Sequence, residues 1–371
     1  MTFEEIICNP EPITFLKNQF ILERIPHAQI LTGPQGNGSM AAALAFAQLL
    51  LCEEPNKESA TACQSCSSCK QTNLLIHPDL HFAFPKISDK DNKSNSIEKA
   101  FREAILQNPY MDEMGWLEFL EAQNKQLNIS AESVRQIIEG LALKSFDSSA
   151  QVMIIWLPEY LGDQGNILLK LIEEPNKDSY LILVSHNLEK ILPTILSRCQ
   201  TVSFEKISNK RILESLSSIQ GLDGERLKQI ALVADGNWDK ALRLSKHEEE
   251  NPSQEFIAWT RICWTLKAST LNEWIENFAK RNRESQKNFF DGGLALFYEI
   301  LHLKFGNELA SKLSSTEKET AAKMADRFNL RQIELIVKQI TNIIYHLEAN
   351  ANPKVLLTDA SIQMHKILTA G

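Results

Sequence analysis

The sequence predicts an α/β domain built on a mainly parallel sheet, followed by an all-helical second half. Two patterns carry this expectation. From residue 1 to about 205, short β-rich runs alternate with amphipathic stretches, the order that builds a parallel sheet covered by helices. After Lys206 the strand signals stop and helical spacing takes over, as in Ile333, Ile336, Val337, Ile340, Ile343, Ile344 and Leu347 along one face. At 371 residues the chain exceeds one ordinary core, so two or three domains are expected.

The first predicted strand, Gln29 to Thr32, runs into GPQGNGSM at 33–40 and then the helix-like Ala41 to Ala47. Strand, glycine turn and helix are the frame of a phosphate-binding loop, G-x-x-x-x-G-K-[S/T], and Gly33, Gly36 and Gly38 supply its glycines. The chemistry of such a loop is missing. Ser39 stands where the phosphate lysine belongs, and Met40 where the magnesium-binding hydroxyl belongs.

Further strands are predicted at Leu80 to Phe84, Val152 to Trp156 and Tyr180 to Val184. Between them Val134, Ile137, Ile138 and Leu141 fall at helical spacing, as do Ile167, Leu168, Leu171 and Ile172 before the stop at Pro175. The stretch 86–128 interrupts this order and reads as an insertion. Its polar first part, KISDKDNKSNS, is expected to be mobile and is followed by a helix near Ile97 to Leu106. The strand Val152 to Ile155 is where a nucleotide-hydrolysing domain would end in acids for magnesium and water. Here it runs into Trp156, Leu157 and Pro158, and the nearest carboxylate, Glu159, lies beyond the proline.

Four of the seven cysteines, Cys52, Cys63, Cys66 and Cys69, form C-x10-C-x2-C-x2-C. Four thiolates with two-residue gaps suit a closed tetrahedral zinc, structural rather than catalytic. Unligated thiols or an iron-sulfur cluster are the alternatives, although the Cys-Pro that commonly follows in ferredoxin motifs is absent. Cys8, Cys199 and Cys263 read as ordinary packing residues. The odd count fits a reducing compartment better than a disulfide framework.

With 39 basic against 47 acidic residues the formal net charge is −8, which argues against strong independent binding of nucleic acid. The start, MTFEEIICNPEP, has no secretory pattern, and the longest nearly apolar run, Met40 to Cys52, is too short to span a bilayer. A cytoplasmic protein is expected.

In this order, RIPHAQILTGPQGNG, the four cysteines, IHPDL, GNILLKLIEEP and ILPTILSRCQ resemble the clamp-loader branch of the AAA+ proteins, and within it the delta-prime family of bacterial DNA polymerase III subunits. The resemblance implies an AAA+ P-loop domain over 1–205 carrying a zinc module at 52–69 and the insertion at 86–128. It further implies a small helical lid domain over 206–249 and an all-α collar over 250–371, with the polar HEEENPSQE as linker. It implies that this subunit hydrolyses no ATP and holds none in its own site. The family's sensor arginine, in Gly-Ser-x-Arg-Asp-Ala-Leu, is replaced: Gly236-Asn237-Trp238-Asp239-Lys240-Ala241-Leu242 has Asp239 at that position. By the same resemblance Arg198, in Ser197-Arg198-Cys199, acts across an interface on a neighbour's ATP. The implied partners are gamma/tau and delta clamp-loader subunits and the sliding clamp, with primed DNA reached through the assembly in the replisome. Two rival readings remain at this level. One is a divergent ATP-hydrolysing motor subunit using Glu159 and Lys240. The other is a zinc-dependent nucleic-acid binder, which would need a basic face near 52–70, where Lys57 and Lys70 stand against Glu53, Glu54 and Glu58.

Overall fold

The computed structural model describes residues 1–87, 94–122, 125–132, 134, 135, 138, 150–217, 224–246, 252–281, 283–305, 315–348 and 351–369. Two units form: one from Met1–Gln220 with Ala234–Leu244, the other from Gly221–Val233 with Ser245–Gly371.

The first unit is organised by a five-stranded sheet in the order β2-β5-β6-β1-β7. Its strands are β1 (Ala28–Thr32), β2 (Leu80–Ala83), β5 (Gln151–Trp156), β6 (Ser179–Ser185) and β7 (Gln200–Ser203). All its pairings are parallel, with Ile30 opposite Leu183 on one side and Thr201 on the other. β1 and β5 are buried at every position, as expected of parallel strands covered on both faces. Edge strand β7 buries only Val202, so it offers no apolar run to a sequence reader.

Helix α1 (Pro10–Ile21) begins after Asn9 with proline at its first position. Helix α2 (Ser39–Leu51) follows the glycine loop and is apolar all round; Ser39 to Leu49 are buried throughout, which makes it a core helix. A short α3 (Ser67–Asn73) carries the last cysteine. Helix Ile167–Glu173 buries Leu168, Leu171 and Ile172 and ends before Pro175. Of the helix expected from 134 to 141, Val134 is buried and Ile138 packs beside it, while Ile137 and Leu141 lie outside the described residues.

The interrupting segment is bracketed by a two-stranded antiparallel ribbon, β3 (Lys86–Ile87) with β4 (Leu127–Asn128). Between these strands stand α4 (Ser94–Gln107) and α5 (Glu113–Phe119), and the polar residues 88–93 lie outside the described residues. This is more than a surface elaboration. The Phe101 ring of α4 stacks on Phe84 at 3.9 Å and lies 5.6 Å from Trp156 at the end of β5. Trp116 Nε1 of α5 donates to the Pro85 carbonyl at 2.8 Å.

The helix Asn209–Leu216 and the helix Trp238–Lys246, through Leu244, belong to the first unit; Gly224–Val233 belongs to the second. That second unit otherwise consists of helices Pro252–Thr265, Ala268–Ala279, Arg283–Phe305, Ser315–Ala325, Leu330–Glu348 and Pro353–Thr369. Its core combines the predicted isoleucine face, with Ile333, Ile336 and Ile340 fully buried, and an aromatic cluster centred on Phe256, Trp259 and Phe289. Among the described residues no helix is long and apolar enough to cross a membrane.

Candidate functional site

The glycine loop occupies the carboxyl end of β1, near the middle of the sheet, where open α/β sheets present ligand sites. Gly33 extends the ladder, its N–H donating to the Ser185 carbonyl at 3.3 Å. Gly38 caps α2 with φ of 89°, a conformation costly for any residue with a Cβ, and a Cβ there would also lie 3.1 Å from Cys8 Cβ. The loop's interior is taken up by its own side chain. Asn37, 1% exposed, turns its Oδ1 onto the Ser39 N–H at 2.9 Å and its Nδ2 onto the Phe204 carbonyl at 3.4 Å. The helix-start amide that an anion would seek is therefore already satisfied. Ser39 and Met40 are 2% and 3% exposed and serve as packing.

The helix Trp238–Lys246 starts against this loop. The Trp238 N–H donates to the Gly36 carbonyl at 3.0 Å, and a Cβ on Gly36 would overlap the Asn237 carboxamide. Asp239 is 3% exposed and pairs with Arg243 at 2.5 Å while accepting a hydrogen bond from Asn108 Nδ2. Burial pushes its carboxyl above the usual aspartate range, with the Arg243 charge opposing. Lys240 uses its backbone N–H on Asn237 Oδ1 at 2.9 Å.

At the end of β5, Trp156 is fully buried and Leu157 turns the chain in the left-handed region, with φ of 55°. Glu159 follows, its Oε1 accepting the His186 N–H at 3.0 Å. Burial raises the Glu159 carboxyl above its ordinary 4.5. The strand end thus presents an indole where a cation would need a carboxylate.

The four cysteines do come together. The sulfurs of Cys52, Cys63, Cys66 and Cys69 all lie within 4.8 Å of one another, with Cys63 to Cys69 at 3.9 Å. A tetrahedron with zinc–sulfur arms of about 2.3 Å has edges of roughly 3.8 Å, so the spacing suits one ion. Backbone N–H groups of Cys63, Cys66 and Cys69 point at the sulfurs of Cys52, Cys63 and Cys66 at 3.3, 3.4 and 3.3 Å, the donors a thiolate set requires. Hydrogen bonds from the Ser65 and Cys66 amides bring the Cys63 thiol down to about 6. The cluster is tied to α2 through Gln48 Nε2, which donates to the Cys69 carbonyl at 3.3 Å. Cys8, Cys199 and Cys263 stand apart, with burial pushing their thiols up to about 11, about 11 and about 12.

Arg198 follows the short helix Pro193–Leu196 and precedes β7, away from the glycine loop in sequence. Its Nε donates to Glu173 at 2.8 Å and its Nη1 to the Thr194 carbonyl at 3.1 Å. Both partners of the ion pair are open to solvent, at 42% and 49%, so the pair is worth about 0–1 kcal/mol and yields readily to a competing anion.

Residues outside the sequence reading complete the loop's surroundings: Asn37, Asn108 and Tyr110. Asparagine commonly bonds the backbone amide two residues on, as Asn37 does just before the Gly38 cap, so it was legible in principle. The other two lie in the interrupting segment and carry no local signature.

The family described as DNA polymerase III, delta subunit, matches residues 8–208, just over half of the chain. DNA polymerase III subunit delta' of Bacillus subtilis is 25% identical over 305 residues, covering 81% of this chain and 79% of its own length. The subunit delta' of Pseudomonas aeruginosa is 28% identical over 174 residues, 47% of this chain and 41% of its own. Among solved structures, a DNA polymerase III gamma subunit-related protein from Thermotoga maritima covers 96% of this chain and 99% of its own at 14% identity, with a TM-score of 0.41. The chain belongs to the delta-prime family of DNA polymerase III clamp-loader subunits.

Proposed function

We propose that the chain is a non-hydrolysing member of the clamp loader, holding no ATP of its own and completing a neighbour's ATP site with Arg198. The observation that carries the first part is the Asn37 carboxamide seated on the Ser39 amide in a loop without a lysine. Catalysis of phosphoryl transfer rests on charge placed around the phosphates. This loop offers no ammonium group, and β5 ends in Trp156 rather than an acid. Glu159, the one acid a motor would recruit, is half-buried and engaged with the His186 amide.

Arg198 supplies what the own pocket lacks. It stands on the surface just after the four-residue helix Pro193–Leu196, and Glu173, its carboxylate partner among the described residues, is exposed. Lent to a gamma/tau neighbour, it would stabilise charge developing on the transferred phosphoryl group, an effect worth roughly 10³ to 10⁵ in rate for such fingers. The organisation that goes with this reading is an AAA+ domain over 1–205, a lid over 206–249 and a collar over 250–371 that joins gamma/tau and delta partners in a bacterial replisome. Clamp and primed DNA are then met through the assembly. The four thiolates hold a structural zinc, which contributes folding energy and no chemistry on ATP.

The test is made on the isolated chain. Titration with Mg-ATP is expected to give no binding below about millimolar and no steady-state hydrolysis, whereas micromolar binding with turnover would show a working motor.

A further inference from the structure

We propose that the segment from Asn108 to Asp112 is a built-in strap that ties the lid helix to the glycine loop, fixing the lid without any nucleotide. This deepens the reading above and rests on the pocket being nucleotide-free. Contacts of three residues, Tyr110, Asn108 and Asp112, all within the first unit, carry it.

Tyr110 reaches the loop. It is 9% exposed, its Cε1 would lie 3.3 Å from a Cβ on Gly38, and its hydroxyl accepts the Ile7 N–H at 2.7 Å. Its ring also faces Trp238, the first residue of the lid helix, edge-on at 6.4 Å. Asn108 donates to the Asp239 carboxylate one residue further along that helix. Asp112, 5% exposed, lies 3.6 Å from the Arg243 guanidinium, which also holds Asp239.

One short segment therefore grips the loop at Gly38 and the lid at residues 238, 239 and 243. The Asp112 and Asp239 carboxylates are buried beside the partly exposed Arg243, so taking away the guanidinium would leave buried charge without its partner. In a nucleotide-binding relative of this architecture, a ligand seated between loop and lid would set the lid's position. Here the covalent chain does so permanently, and Asp239, useless toward phosphate, becomes the strap's anchor. The lid then keeps one setting while neighbouring subunits cycle.

The Trp238 amide, bonded to Gly36, reports lid closure through hydrogen exchange in the isolated full-length chain. Without nucleotide it is expected to be protected, and Mg-ATP is expected to change nothing. Combining Asn108→Ala with Arg243→Gln should speed its exchange at least about tenfold, while the Ile154 and Leu183 amides of the sheet stay protected. If that pair unfolds the sheet as well, Tyr110→Phe and Asn108→Ala alone carry the same readout. Unchanged Trp238 protection in a variant with an intact sheet overturns the strap and leaves the proposed function standing. Added protection from Mg-ATP in the unmodified chain overturns both.

Discussion

The Asn37 side-chain oxygen sits 2.9 Å from the Ser39 amide nitrogen, inside the glycine loop between β1 and α2. The loop's own side chain thus satisfies the first amide of α2. Its retained value is structural, since α2 starts from it and runs buried through the core.

Restoring the two missing loop residues should therefore fail to restore binding. Ser39→Lys combined with Met40→Thr is expected to show no Mg-ATP affinity by titration calorimetry, because Asn37 and Trp156 are still in place. It is also expected to lose about 2 kcal/mol or more of stability, since both positions are almost fully buried. A micromolar Kd in that variant would mean the loop is closer to function than its geometry indicates.

The parallel sheet, the helical second half, the cysteine cluster and the glycine loop between strand and helix were legible because each rests on local pattern: apolar runs, 3.6-residue spacing, thiol gaps and a short motif. Strand β7 was not, since three of its four residues are exposed and an edge strand needs no apolar run. The packing role of the interrupting segment was not legible for another reason. Phe101 and Trp116 meet Phe84 only in three dimensions, and no spacing within 94–119 announces where those rings go.

That aromatic cluster gives a second expectation. Phe101→Ala removes a ring 1% exposed, stacked at 3.9 Å on Phe84, and should cost about 3–5 kcal/mol in chemical denaturation. A loss below about 1 kcal/mol would return the segment to the status of a surface appendage.

Metal content offers a third. Purified chain should be colourless and carry one zinc per chain, the number its single four-thiol cluster can hold among the described residues. Cys66→Ser, or prolonged chelation, should lower the thermal midpoint and release the metal. Iron with visible absorbance would replace zinc by a cluster, and full stability after metal removal would deny the ion a structural role.

The fourth concerns pH. Glu159 has a folded-state carboxyl raised by burial above 4.5, so folding takes up a proton there and stability falls as pH rises through the window above 4.5. Glu159→Gln removes that penalty, and Gln retains a carbonyl to accept the His186 N–H. The variant should match or exceed the parent in urea at pH 7, with its advantage shrinking toward pH 4. A variant that is less stable at pH 7 would show that the carboxylate itself is needed.

The central claim is that a subunit with a closed pocket contributes to ATP turnover through Arg198, whose guanidinium is held at the surface by the exposed Glu173. The direct measurement is ATP turnover by the reconstituted loader on clamp and primed DNA, with this chain carrying Arg198→Ala. The account predicts intact assembly and a fall of roughly 10³-fold or more at the site that receives the arginine. Normal turnover at every site in that mutant assembly would contradict it.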